Sequence, residues 1–140
     1  MNYNSLLKSY NLKVTKPRIK ILQLIDQKGH IAIDDIYSEI SQIYNKLSLA
    51  TVYKNILTMR NIGLIIEIPI IGKKPKYELT KKSHLHFICK NCGLVEDKDI
   101  EDNLKDMFKT MALKDEFIIS SLQNNIYGLC AKCQLDREFN

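Results

Sequence analysis

Two short cysteine pairs constrain this chain more than any other feature. Cys89 and Cys92 are separated by two residues and followed at once by Gly93, and Cys130 and Cys133 repeat the spacing after an intervening 37 residues. Four thiolates in that pattern can close a tetrahedron about one Zn2+ with no open position, so the ion would support structure and not perform catalysis. Disulfides would need an oxidising compartment, but the N-terminus MNYNSLLKSYNLK has no signal-like hydrophobic stretch. No apolar run approaches the ~20 residues that span a bilayer. A cytoplasmic protein with no membrane partner is therefore expected, and reduced thiols there read as metal ligands. A chain of 140 residues has room for two domains of roughly 60 to 80 residues, each marginal on burial alone, and the zinc would act as a staple.

The net charge of +5 is unevenly spread. Residues 1–82 carry 14 Lys and Arg against 6 Asp and Glu, whereas residues 83–140 carry 7 against 10, so the halves stand at +8 and −3. A basic first half suits a polyanion such as DNA, and a solvated basic surface is the plainer alternative.

Helical periodicity organises that basic half. Thr15-Lys16-Pro17 starts a helix near 16–27 that ends at Lys28-Gly29. A second pattern, Ile33, Ile36, Tyr37, Ile40, Ile43 and Tyr44, predicts a helix ending near Tyr44, with Asp34 and Asp35 favourably placed in its first turn. Ser48 is a natural N-cap for a third helix, 49–62, with Leu49, Val52, Ile56 and Met59 as its buried stripe and Gly63 as its stop. Leu64–Ile71 and Lys76–Thr80, parted by Gly72-Lys73-Lys74-Pro75, read as a two-stranded hairpin. Helix, turn, helix and hairpin together describe a winged helix. Beyond a Lys81-Lys82-Ser83 linker come a strand at 85–89, a helix near 100–113 and a β-rich run at 116–127, a compact α/β second domain. The boundary is expected after Lys82, and the overall class is α+β.

The chain's three histidines are His30, His84 and His86. Alternation along a strand places His84 and His86 on one face, with Glu78 and the pair Glu96-Asp97 near them in sequence. Imidazoles and carboxylates without sulfur suit a borderline divalent ion such as Fe2+, Mn2+ or Zn2+. Surface polar residues beside a zinc ribbon are the alternative.

Taken in order, LKVTKPR at 12–18, HIAIDDIY at 30–37, LATVYKN at 49–55, HLHFICKNCG at 84–93 and YGLCAKC at 127–133 closely resemble the ferric uptake regulator (Fur) family. The resemblance spans nearly the whole chain. It implies a homodimer of subunits, each with a winged helix-turn-helix DNA-binding domain (1–82) and a C-terminal α/β dimerisation and metal-binding domain with a four-cysteine zinc site (83–140). It implies a regulatory Fe2+ or Mn2+ held by His30, Glu78, His84, His86 and Asp97, with Zn2+ able to substitute in a purified sample. Such an ion would lock the angle between the domains, which is how differential affinity drives a two-state switch. The partner implied is a double-stranded, pseudo-palindromic DNA operator. Tyr53 would touch bases, Lys54 and Thr51 would lie near phosphates, Lys13 would enter the minor groove and Arg18 would meet the backbone. No catalytic residue is implied.

Within the family the chain is most similar to the peroxide-responsive repressor (PerR) type. Ser83-His84-Leu85-His86 stands where iron-sensing Fur proteins usually have His-His-Asp-His, and Asp97 stands where they more often have glutamate. Glu78 departs from the aspartate common in PerR proteins, and an iron-sensing regulator of iron uptake is the alternative. The PerR resemblance implies that Fe2+ reduces H2O2 and that the oxidant formed attacks His30 or His84. A zinc sensor would usually enlist a further cysteine, and all four are committed here. Remoter classes are a zinc-ribbon interaction module and a metal-dependent hydrolase, the latter without an HExxH motif to support it.

Overall fold

Capping residues and apolar spacing account for most of the first half of the chain. A computed structural model describes residues 1–81, 84–120 and 122–138 and resolves into two compact units, Met1–Thr80 and Lys81–Asn140. The boundary expected after Lys82 falls at Lys82 and Ser83, outside the described residues. No described helix is long and apolar enough to cross a membrane.

The first unit opens with α1 (Tyr3–Ser9), which the sequence pattern does not announce. Asn2 caps it by accepting the Ser5 N–H at 3.1 Å, and its Leu7 is fully buried. Seven residues with one core side chain carry too little periodicity to read, and a helix so short depends on tertiary packing. Helix α2 (Lys16–Lys28) begins where Thr15 Oγ1 accepts the Arg18 N–H at 3.3 Å and buries Ile21, Leu22, Leu24 and Ile25. After β1 (Ile31–Ala32), α3 (Ile33–Ser41) buries Ile33, Ile36 and Ile40. It stops at Ser41, short of Tyr44; the N–H groups of Ile43 and Tyr44 share the Ile40 carbonyl, at 2.9 and 2.8 Å, in a closing turn that leaves Ile43 exposed.

Helix α4 (Leu49–Asn61) starts at Ser48, whose Oγ accepts the Thr51 N–H at 3.1 Å. Val52, Ile56 and Met59 form its buried stripe, but Leu49, expected to join them, is exposed at the first helical position. The wing is β2 (Ile65–Ile68) and β3 (Lys76–Leu79). Strand β2 ends before Ile71 because Pro69 has no N–H to give a ladder. The sheet order is β1-β3-β2, antiparallel throughout. One core runs from Leu7 through the three long helices to Leu64, Ile65 and Tyr77. Helices α3 and α4 followed by this hairpin make a winged helix-turn-helix.

The second unit is β4 (His84–Cys89), β5 (Val95–Asp99), α5 (Asp102–Lys114), β6 (Gln123–Gly128) and α6 (Ala131–Glu138). Its sheet order is β5-β4-β6, with β4 antiparallel to β5 and parallel to β6. Among the described residues, the run expected to be β-rich from 116 forms strand from Gln123. Glu116 takes φ 54°, the Glu116 N–H bonds the Leu113 carbonyl at 3.2 Å and the Phe117 N–H bonds the Ala112 carbonyl at 2.9 Å. That is a Schellman closure of α5, normally made by glycine. Gly63 closes α4 in the same way, at φ 84° with the Leu64 N–H on the Met59 carbonyl. Few apolar side chains are buried in this unit, chiefly Ile88, Cys89, Val95, Ile100 and Cys133, and α5 buries none.

Candidate metal centres and nucleic-acid interface

Strand register assembles the cysteines. Cys89 ends β4 opposite Gly128 of β6. The knuckle after it turns through Gly93 at φ 80°, whose N–H bonds the Cys89 carbonyl at 3.0 Å. Two residues past Gly128 comes Cys130, and Cys133 is buried in the first turn of α6, a helix missed in the sequence because its eight residues lack an apolar stripe. The four Sγ atoms lie within 4.8 Å of one another, and those of Cys92 and Cys130 are 3.8 Å apart. A zinc–sulfur tetrahedron with bonds of about 2.3 Å has edges of about 3.8 Å, so the donor set fits Zn2+.

The thiols differ in acidity. Backbone N–H groups of Cys130 and then Cys92 lower the Cys89 thiol to about 6, against the opposing effect of burial. Although the Asn91 amide, 3.3 Å from its sulfur, lowers it, the Cys133 thiol is pushed up to about 11 by Cys130, burial, Cys89 and Cys92. Protons crowded on neighbouring sulfurs are what a metal ion displaces on binding.

A second donor cluster lies in the same unit. Register pairs His86 with Asp97 on one side and with Asn125 on the other, so the three side chains form a row on one sheet face, with His84 two residues along. Nε2 of His86 is 2.8 Å from Nε2 of His84 and 3.3 Å from Oδ1 of Asp97, and His84 Nε2 is 3.6 Å from that oxygen. A circle through three points so spaced has a radius of about 1.9 Å, within a metal–nitrogen bond of about 2.1 Å, so one ion can touch all three. Two imidazoles and a carboxylate on one face leave the other coordination positions open, the donor pattern of ferrous sites. Glu96 lies on the opposite face, opposite Phe87 and 3.7 Å from Lys98 Nζ.

Asn125, which sequence reading missed, governs His86. Its Oδ1 lies 3.0 Å from His86 Nδ1, and an amide oxygen only accepts, so Nδ1 carries a proton, and in the neutral ring Nε2 then keeps its lone pair. The signal is a parallel pairing between residues 39 apart in sequence, which no local pattern encodes.

In the first unit, Ile31 pairs with Tyr77, which brings His30 beside Glu78 with Nε2 to Oε2 at 3.1 Å. Glu78 is buried, at 1% exposure. A carboxylate in that setting needs a cationic partner, whether imidazolium or metal.

On the helix-turn-helix, Lys13, Thr51, Tyr53 and Lys54 are exposed and Arg18 is partly buried. One hydrogen-bonded chain joins several of them. Arg18 donates from Nη1 to the Lys13 carbonyl and from Nε to Asn55 Oδ1, each at 3.0 Å, and Asn55 Nδ2 donates to the Thr51 carbonyl at 3.1 Å. Asn55 was not singled out in the sequence. Tyr53 is 43% exposed on α4, away from the Val52, Ile56 and Met59 stripe.

The ferric uptake regulator family model matches residues 9–127. The ferric uptake regulation protein of Legionella pneumophila is 31% identical over 137 residues, 96% of this chain and 100% of its own length. The peroxide operon regulator of Bacillus subtilis is 30% identical over 128 residues, 91% of this chain and 88% of its own. The crystal structure of the Campylobacter jejuni peroxide stress regulator superposes with a TM-score of 0.76 at 33% identity, covering 95% of this chain and 100% of that one.

Proposed function

The chain belongs to the ferric uptake regulator family of metal-responsive transcription regulators, and on that premise we propose that it is a metal-dependent DNA-binding repressor that senses peroxide. The observation that carries the reading is the triangle of His84 Nε2, His86 Nε2 and Asp97 Oδ1, a donor set for Fe2+ or Mn2+ with open positions. His30 and Glu78 from the first unit are proposed to complete the regulatory site, and Zn2+ in the four thiolates to hold the second unit together.

Residues 1–82 are the proposed DNA-binding domain, with Tyr53 reading bases, Lys54 and Thr51 near phosphates, Arg18 on the backbone and Lys13 in the minor groove of a pseudo-palindromic duplex. Residues 83–140 are the proposed dimerisation and metal-binding domain. Helix α5 buries none of its side chains, and Met107, Met111, Leu113, Phe117 and Ile118 are exposed on it or just after it. A second copy would cover that apolar surface, which is larger than a solvated helix usually shows. A regulator acting on DNA would work in the cytoplasm.

When bound, Fe2+ supplies the electrons that reduce hydrogen peroxide, and Mn2+ serves as a stand-in without that chemistry. His30, Glu78, His84, His86 and Asp97 would hold the ion, and the ring of His30 or His84 would take up one peroxide oxygen at a carbon, losing two electrons overall while the other oxygen leaves as water, which would weaken a ligand and end repression. Iron sensing is the second reading, favoured by the Legionella pneumophila relative.

Duplexes selected from a random pool by Mn2+-loaded protein provide the test, with binding measured under Mn2+ and Fe2+ before and after mild peroxide. The peroxide reading expects only the Fe2+ form to release DNA, with added oxygen on peptides containing His30 or His84. Retained binding with no added oxygen leaves the iron-sensing reading. Binding indifferent to either metal removes both.

A further inference from the structure

Asp97 divides its two oxygens between different partners. Oδ1 faces the imidazoles of His86 and His84, at 3.3 and 3.6 Å, while Oδ2 is held by the ammonium of Lys81 in the same unit. Lys81 opens the Lys81-Lys82-Ser83 stretch, which the sequence marks as a linker. Its side chain is 45% exposed and that of Asp97 33%, so the pair contributes little to folding stability. Its consequence is orientation and charge at the donor triangle. A carboxylate with one oxygen engaged by a lysine offers a metal ion the other oxygen alone.

We infer that Lys81 is a positioning residue that keeps Asp97 a one-oxygen ligand and limits how tightly the regulatory ion binds. The inference rests on the metal-site reading above. Two effects act in the same direction. The ammonium repels a divalent cation bound a few ångströms away through a solvent-accessible carboxylate, and it blocks the second oxygen from closing onto that cation. A site so restrained keeps a coordination position open and an affinity low enough for the ion to exchange, both of which a sensor needs. Asn125 acts on His86 from the far side of the row; Lys81 acts on Asp97 from the near side.

The experiment uses full-length protein with its zinc in place and adds Co2+ or Mn2+ as the probe. Co2+ reports coordination number through its visible absorption, which weakens as ligands are added, and Mn2+ reports affinity through loss of its free-ion magnetic resonance signal. Lys81→Met is expected to tighten Mn2+ binding roughly fivefold, as removal of a nearby like charge requires, and to weaken the Co2+ bands as Asp97 closes with both oxygens. Lys81→Arg, which keeps charge and donors, is expected to match the unsubstituted protein. Unchanged bands and affinity in Lys81→Met, or weaker binding, would overturn the proposal while leaving the metal site intact. If the unsubstituted protein binds neither probe beyond its zinc, the metal-site reading itself is lost and this proposal with it.

Discussion

Nδ1 of His86 and Oδ1 of Asn125 lie 3.0 Å apart, joined across the parallel β4–β6 pair, and this bond determines which imidazole nitrogen is left to bind an ion. Replacing Asn125 by Leu frees the ring to rotate and to change tautomer. Mn2+ affinity is expected to fall about 10-fold to 100-fold, the usual cost of removing a partner that orients a metal ligand. Isothermal titration of zinc-loaded protein measures it, and an unchanged constant would show that packing alone orients His86.

Zinc removal should separate the two units. Structural zinc contributes on the order of 10 kcal/mol, and the second unit has little apolar core to replace it. Chelation is expected to abolish amide protection in β4, β6 and α6 while the helices of the first unit stay protected, as hydrogen exchange would record. Acid has the same direction of effect. Protons compete with Zn2+ for the four thiolates, so acid should release the ion, as zinc content measured across a pH series would record.

Tyr53→Ala tests base reading. A base-edge contact carries roughly 1–3 kcal/mol of discrimination, so a selected duplex should be weakened by that amount and random DNA much less. Lys54→Ala should weaken both alike and reduce the salt dependence. Competition binding at two salt concentrations distinguishes them, and equal loss on both duplexes for Tyr53→Ala would remove its assigned role.

Tyr77 makes stability sensitive to alkali. Burial first, and then the Glu67 carboxylate 2.9 Å from its hydroxyl, raise its pKa well above the usual tyrosine value of 10.0. The neutral phenol's contribution is therefore fully present below that ordinary value and is lost as pH rises through the higher folded one. Tyr77→Phe should cost about 1 kcal/mol at neutral pH and show a flatter decline above pH ~10. Denaturant midpoints across that window provide the comparison.

Glu116 occupies a left-handed position that suits glycine. Glu116→Gly should stabilise the second unit by about 1 kcal/mol, since an L side chain is disfavoured there by that order. The melting temperature of zinc-loaded protein should rise; a fall would show that the Glu116 side chain is anchored.

Local chemistry alone determined much of this molecule. Thr15, Ser48 and Gly63 mark helix ends because their side chains or lack of one act on the nearest backbone groups. The spacing of Ile33, Ile36 and Ile40, and of Val52, Ile56 and Met59, is a property of one helix and is legible without a fold. The two CxxC pairs announce a four-thiolate cluster that fits zinc because each knuckle is local. Only tertiary structure decided the rest. The early stop of α3, the exposure of Leu49 and Ile43, and the existence of α1, whose Leu7 joins the core, are not written in local spacing. Asn125 beside His86, and Lys81 on the far oxygen of Asp97, depend on strand register and on where Lys81, ahead of β4, falls beside the sheet. Hydrogen bonds between residues distant in sequence leave no periodic trace, so the histidines, cysteines and carboxylates proposed as ligands stand out in the sequence and the groups that orient them do not.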